Sequence, residues 1–110
     1  MRAFVEAVIA YTGEKHVNII SHSMGVTIAR KVVKGGVAYD HSAGGYDLGP
    51  SLQRKVKSFI GIAGGNLGLA TCLNTPILPA CSTRDGFFPG ATVISPPSEY
   101  LNDLNKNGGS

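Results

Sequence analysis

The chain has 110 residues, two cysteines and a formal net charge of +3, from ten basic and seven acidic residues. This length holds at most one small domain, and an apolar content of 43% is enough for a modest core. The basic residues are scattered from Arg2 to Lys106 with no basic block and no aromatic interleaving, which argues against a nucleic-acid partner, and no apolar run reaches the length of a transmembrane segment.

The first predicted element is a helix over residues 2–11, with Ala3, Phe4, Ala7, Val8 and Tyr11 on its packing face and Gly13 as its stop. Glu6 interrupts the apolar run, so the segment is not a signal peptide and Met1 reads as an internal start. After a polar turn at Glu14-Lys15-His16, the run Val17-Asn18-Ile19-Ile20 predicts a strand.

Ser21-His22-Ser23-Met24-Gly25 then separates this strand from an amphipathic stretch, Val26 to Lys34. A serine at the centre of such a strand-to-helix turn, with small residues two positions either side, is the pattern of a nucleophile elbow. The turn forces the central Oγ outward and aims the next backbone N–H at the place where an oxyanion would form, which makes Ser23 the candidate nucleophile and Met24 the candidate oxyanion donor. The two small positions are expected to crowd each other. Ser21 stands where the usual pattern has glycine, as a small-residue variant. The competing reading is that Ser23 is an ordinary helix N-cap.

The helix over residues 26–34 is expected to bury Gly25, Ile28, Ala29 and Val32, with Arg30, Lys31 and Lys34 favouring its C-terminal end and Gly35-Gly36 terminating it. Residues 37–50 read as a surface loop. Val56 to Ala63 predicts a second strand whose continuous apolar run suits a central parallel strand covered on both faces, giving a right-handed βαβ unit.

Ala63-Gly64-Gly65-Asn66-Leu67-Gly68 nearly matches a dinucleotide-binding fingerprint, with Asp85 at the distance of a ribose-binding acid. Pro76 and Pro79 cut off the helix that would have to face the pyrophosphate, so a tight turn at the rim of the site is the better reading. Residues 66–97 are expected to be irregular, and within them Cys72 and Cys81, nine apart, are either a small disulfide-closed loop or two buried thiols. Ser98 to Asn105 predicts a short helix capped by Ser95 or Ser98, with Leu101 and Leu104 on one side, and residues 107–110 are featureless.

A serine esterase needs a histidine base and an acid that orients it, in the chain order Ser, acid, His. His16 precedes the strand, His22 adjoins Ser23 in a turn that parts neighbouring side chains, and His41 comes before any acid-bearing strand. None suits the role of base. Asp40, Asp47, Asp85 and Asp103 fall in loops or the last helix, and no histidine follows the later ones. The chain is therefore expected to be incomplete as an enzyme.

Tyr11-Thr12-Gly13, Val17 to Gly36 around the elbow, Tyr46-Asp47-Leu48-Gly49-Pro50, Phe59-Ile60-Gly61-Ile62-Ala63-Gly64 and the Cys72 to Cys81 loop together give a chain that resembles the secreted lipases of the EstA/EstB class, the class 2 triacylglycerol lipase family expanded in nematodes. The resemblance implies a partial α/β-hydrolase fold over residues 1–110, without the first strands and the C-terminal acid and histidine segments. It implies serine-dependent hydrolysis of lipid or other acyl esters, no metal or organic cofactor, and an extracellular setting. Ser23 and Met24 are the functional residues that carry over. A second reading, of a different class, is a non-catalytic binding or regulatory remnant of such a lipase.

Overall fold

In the computed structural model, residues 1–40, 44–75, 77–90 and 95–106 are described. They form an α/β structure in two compact units: residues 1–37 with 47–64, and residues 38–46 with 65 onward.

The first unit is the parallel βαβ core. Helix α1 (Arg2–Thr12) ends at Gly13, whose φ of 70° is the left-handed conformation that closes a helix, its N–H donating to the Ile9 carbonyl. Strand β1 (Val17–His22) is two residues longer than predicted. Helix α2 (Met24–Lys34) follows at once, and β4 (Val56–Ile62) returns parallel to β1, with Ile19 opposite Phe59, Ser21 opposite Gly61 and His22 opposite Ile62. Strands β2 (Val37–Asp40) and β3 (Gly44–Asp47) pair in a separate two-stranded sheet, where a surface loop was expected.

Val5 of α1, Val32 of α2 and Leu52 form the buried cluster of the first unit, with Ile9, Val17 and Ile19 packed against it. Two expected packing faces are thereby corrected. On α1 the buried position is Val5, while Ala3, Phe4, Ala7 and Tyr11 are exposed. The apolar residues nearly encircle this helix, so its partners and not its periodicity select the face. On α2 the buried side chains include Val26, Ala29, Val32 and Val33, and Ile28 faces outward.

The sheet is not covered on both faces either. Val17 and Ile19, on one face of β1, pack against the cluster that Val5 of α1 and Val32 of α2 share, so both helices are joined on that face. On the other side Ile20 is 70% and Ile60 52% exposed. A continuous apolar run such as that of β4 suggests double cover, but period alone does not tell a second helix from open space.

The second unit holds a four-residue helix α3 (Thr71–Asn74) and helix α4 (Glu99–Asn105). Cys72 and Cys81 are joined by a disulfide with an S–S distance of 2.06 Å, and both are buried with Phe88 against Leu69. Of the two candidate caps for the last helix, Ser98 fills the role. Its fully buried Oγ accepts from the Leu101 N–H at 3.2 Å and donates to the Gly86 carbonyl at 2.7 Å. A cap of this kind is worth about 1 kcal/mol. It turns Leu101 and Leu104 inward, and both are buried.

The glycine-rich stretch after β4 is a turn, with the Gly68 N–H donating to Gly65 and that of Leu69 to Phe87. The next helix starts only at Thr71 and runs four residues. A dinucleotide site would need a longer helix N-terminus at the last glycine, so this geometry does not serve it.

Candidate active site

Ser23 is the single residue between the end of β1 and the start of α2. Its backbone, φ 53° and ψ −127°, lies in a region that residues with a Cβ rarely occupy. Two bonds hold it there. The Ser23 N–H donates to the carbonyl of Ile62, the last residue of β4, at 2.8 Å, and the Ser23 carbonyl accepts from Val26 at 3.1 Å. The strain is thus maintained by the neighbouring strand on one side and the first turn of α2 on the other.

The side chain makes no capping bond to α2, and Ser23 is exposed. An N-cap serine spends its oxygen on the helix N–H groups. This one does not. Met24 is the first residue of α2, so its N–H has no intrahelical acceptor, and it lies directly after Ser23 at the positive end of the helix dipole.

The crowding expected between the two small elbow positions is not found. A Cβ built at Gly25 would meet no atom within 4 Å outside its own helix. The close approach is at Gly61 of β4, where a Cβ would stand 2.8 Å from Val26 Cγ1. Smallness is required where α2 crosses the strand paired with β1, not where the motif suggests. Ser21 lies opposite Gly61, and its Oγ is buried without a hydrogen-bond partner, so its size is used and its hydroxyl is not.

Sequence reading missed Ala63. It follows the last residue of β4, whose carbonyl anchors Ser23, and it too has a positive φ, 50°. A glycine would have signalled this conformation, and an alanine does not.

Among the described residues of the first unit, no histidine or aspartate is bonded to the Ser23 side chain. No hydrogen bond joins its Oγ to His16 or His22. His16 lies before the start of β1, seven residues from Ser23, and a strand of that length places it roughly 20 Å away. His22 is on β1 opposite Ile62, on the face that Ile20 shares. His41 lies outside the described residues. Asp47 Oδ1 accepts from the Gly49 N–H at 2.7 Å and closes a turn. Asp40 ends β2, and Asp85 and Asp103 belong to the second unit with the Cys72–Cys81 bridge. Among the described residues no group of three or more His, Cys, Asp or Glu could hold a metal ion. Likewise none of their helices is long and apolar enough to cross a membrane.

The family model described as lipase (class 2) matches residues 1–110. Searches of curated proteins and of solved structures find no match.

Proposed function

The chain belongs to the class 2 lipase family, and from that premise we propose that it carries the nucleophile and one oxyanion donor of a serine carboxylesterase acting on lipid esters. The family brings lipase-type hydrolysis of acyl esters in general. The observation that supports the finer reading is the backbone of Ser23, held at a positive φ between strand and helix with its hydroxyl unspent.

In this reading Ser23 Oγ attacks the ester carbonyl carbon while a histidine takes its proton. The carbonyl oxygen becomes an oxyanion facing the Met24 N–H. Collapse expels the alcohol, which leaves with a proton from the histidine, and water then frees the acid from the acyl-serine by the same route in reverse. The chain's own groups supply attack and half of the charge stabilisation. The base, its orienting acid and the second donor are assigned to segments beyond residues 1–110.

The test is an assay of p-nitrophenyl butyrate hydrolysis on residues 1–110 alone and on a longer form that supplies a histidine. The shorter chain is expected to show no turnover above background, because a serine without its base loses nearly all rate enhancement. The longer form is expected to turn over. Turnover by residues 1–110 that Ser23→Ala abolishes would place the base inside the chain, with His41→Ala as the next variant. Inactivity of both forms would favour the non-catalytic remnant.

An extracellular setting and the EstA/EstB type are part of the same proposal, supported by the bridged Cys72–Cys81 pair. Closing a loop of this length stabilises by about 2–3 kcal/mol in the chain-entropy account. Non-reducing peptide mapping of secreted protein is expected to recover residues 72 and 81 in one cross-linked peptide. Two free thiols in that material would remove the support.

A further inference from the structure

Among the described residues, two that are not glycine have a positive φ, Ser23 at 53° and Ala63 at 50°. They stand side by side. The register of the parallel pair ends with His22 opposite Ile62, so the next position is Ser23 on one strand and Ala63 on the other. Glycines follow at 64 and 65, yet neither has a positive φ, and the alanine bears the left-handed turn. Ala63 is exposed, so burial does not hold it there. A costly backbone conformation adopted at the residue less suited to it is one that its surroundings enforce.

The bonds at this point show what the turn does. The Ser23 N–H donates to the Ile62 carbonyl at 2.8 Å. In a parallel ladder a residue that donates to one position accepts from the second position beyond it, so a β4 that ran on extended would offer the Gly64 N–H to the Ser23 carbonyl. That carbonyl instead accepts from Val26 at 3.1 Å, in the first turn of α2. The difference is felt one bond away. The Ser23 carbonyl and the Met24 N–H belong to one planar trans peptide group and point in opposite directions. With the carbonyl directed along α2, the Met24 N–H is directed out of the first turn, as an oxyanion donor must be. With the carbonyl drawn across to β4, the N–H would swing with the peptide plane.

We propose that Ala63 is a positioning residue for the oxyanion donor: its left-handed backbone carries Gly64 away from the Ser23 carbonyl, leaving that carbonyl to Val26 and the Met24 N–H aimed outward. The proposal deepens the hydrolase reading and rests on it for the role of the Met24 N–H. Ala63 takes no part in the chemistry itself and acts through the peptide between Ser23 and Met24.

The experiment replaces Ala63 by residues that accept or refuse a positive φ. Glycine takes it freely, and valine, branched at Cβ, does not. In a hydrolytically competent longer form, with rates referred to folded protein, Ala63→Val is expected to lower kcat on p-nitrophenyl butyrate at least about tenfold with KM within about twofold of the parent, a part of the roughly 10²–10³-fold that losing a whole oxyanion donor costs. Ala63→Gly is expected to restore the parent kcat. A second readout needs no turnover. In residues 1–110 the methionines are Met1 and Met24, and Met1 carries an amine, so isotopic labelling of methionine nitrogen yields one backbone amide resonance, that of Met24. It is expected to move in Ala63→Val and to stay close to the parent position in Ala63→Gly. Far-UV circular dichroism checks that the valine variant is folded, and Ala63→Leu, bulky but unbranched at Cβ, is the milder change if it is not. An unmoved Met24 amide in the folded variant would overturn the proposal. So would a parent-like kcat in that variant, or a glycine variant that loses as much as the valine one. Where no longer form is active, a Met24 amide that moves in the valine variant and not in the glycine variant would retain the positioning role and lose the hydrolase reading.

Discussion

Ser23→Ala is expected to lower kcat on a p-nitrophenyl ester by about 10⁴–10⁶-fold in a hydrolytically competent form of the protein, equivalent to roughly 5–8 kcal/mol of transition-state stabilisation. The Ser23 side chain is exposed and makes no capping bond to α2, so its removal takes nothing from the fold. The same backbone gives a second, opposite readout. Because φ is 53° and ψ −127°, glycine fits this position better than any residue with a Cβ, and Ser23→Gly is expected to be more stable than Ser23→Ala by about 1 kcal/mol while equally inactive. Urea denaturation of the two variants measures the strain, and the ester assay measures the chemistry. A Ser23→Ala protein that keeps a tenth of the parent rate would end the nucleophile assignment. A glycine variant no more stable than the alanine variant would show that the turn stores no strain.

What the sequence made legible was local. The elbow could be placed because an apolar run, a small-residue turn and an amphipathic run follow one another without a gap, and β1, α2 and β4 all appear within two residues of their expected limits at the elbow-proximal core. Gly13 and Gly35 were readable as helix ends because their left-handed φ values of 70° and 75° are what glycine permits. The illegible features depend on partners far along the chain. Val5 is the core residue of α1 only because Val32 and Leu52 meet it. The requirement for smallness falls on Gly61 only because Val26, 35 positions earlier, crosses β4 there. Strands β2 and β3 are four residues each, and the glycines and aspartates within them outweighed the strand preference of Val37, Tyr39 and Tyr46.

Gly35→Ala is expected to destabilise the first unit by about 3–5 kcal/mol, a large share of the 5–15 kcal/mol that holds a whole domain. Two effects add at this residue. Its φ of 75° with ψ −157° belongs to glycine alone, and a Cβ would lie 2.5 Å from the Gly49 carbonyl oxygen and 2.9 Å from the Pro50 carbonyl carbon, which are backbone atoms that cannot swing aside. That backbone is fixed in place by donations from Gly36 to Gly49, Leu48 to Gly36 and Leu52 to Val33, and by the Ser51 hydroxyl, which also donates to Val33. Gly36 separates the two effects. Its φ is 80°, yet a Cβ there meets nothing within 4 Å, so Gly36→Ala carries only the conformational cost, about 1–2 kcal/mol. Urea midpoints at constant slope compare the pair, and equal losses would show that the close approach of Gly49 and Pro50 contributes nothing. The difference bears on the candidate site because the same contacts satisfy the last carbonyls of α2 and lead the chain into β4. Ser23 depends on both elements, taking its acceptor from Ile62 of β4 and its following N–H from the first turn of α2. Loosening the far end of α2 therefore frees the pair of elements that hold Ser23 in its strained turn, and a folded Gly35→Ala protein should lose the excess stability of Ser23→Gly over Ser23→Ala along with its activity.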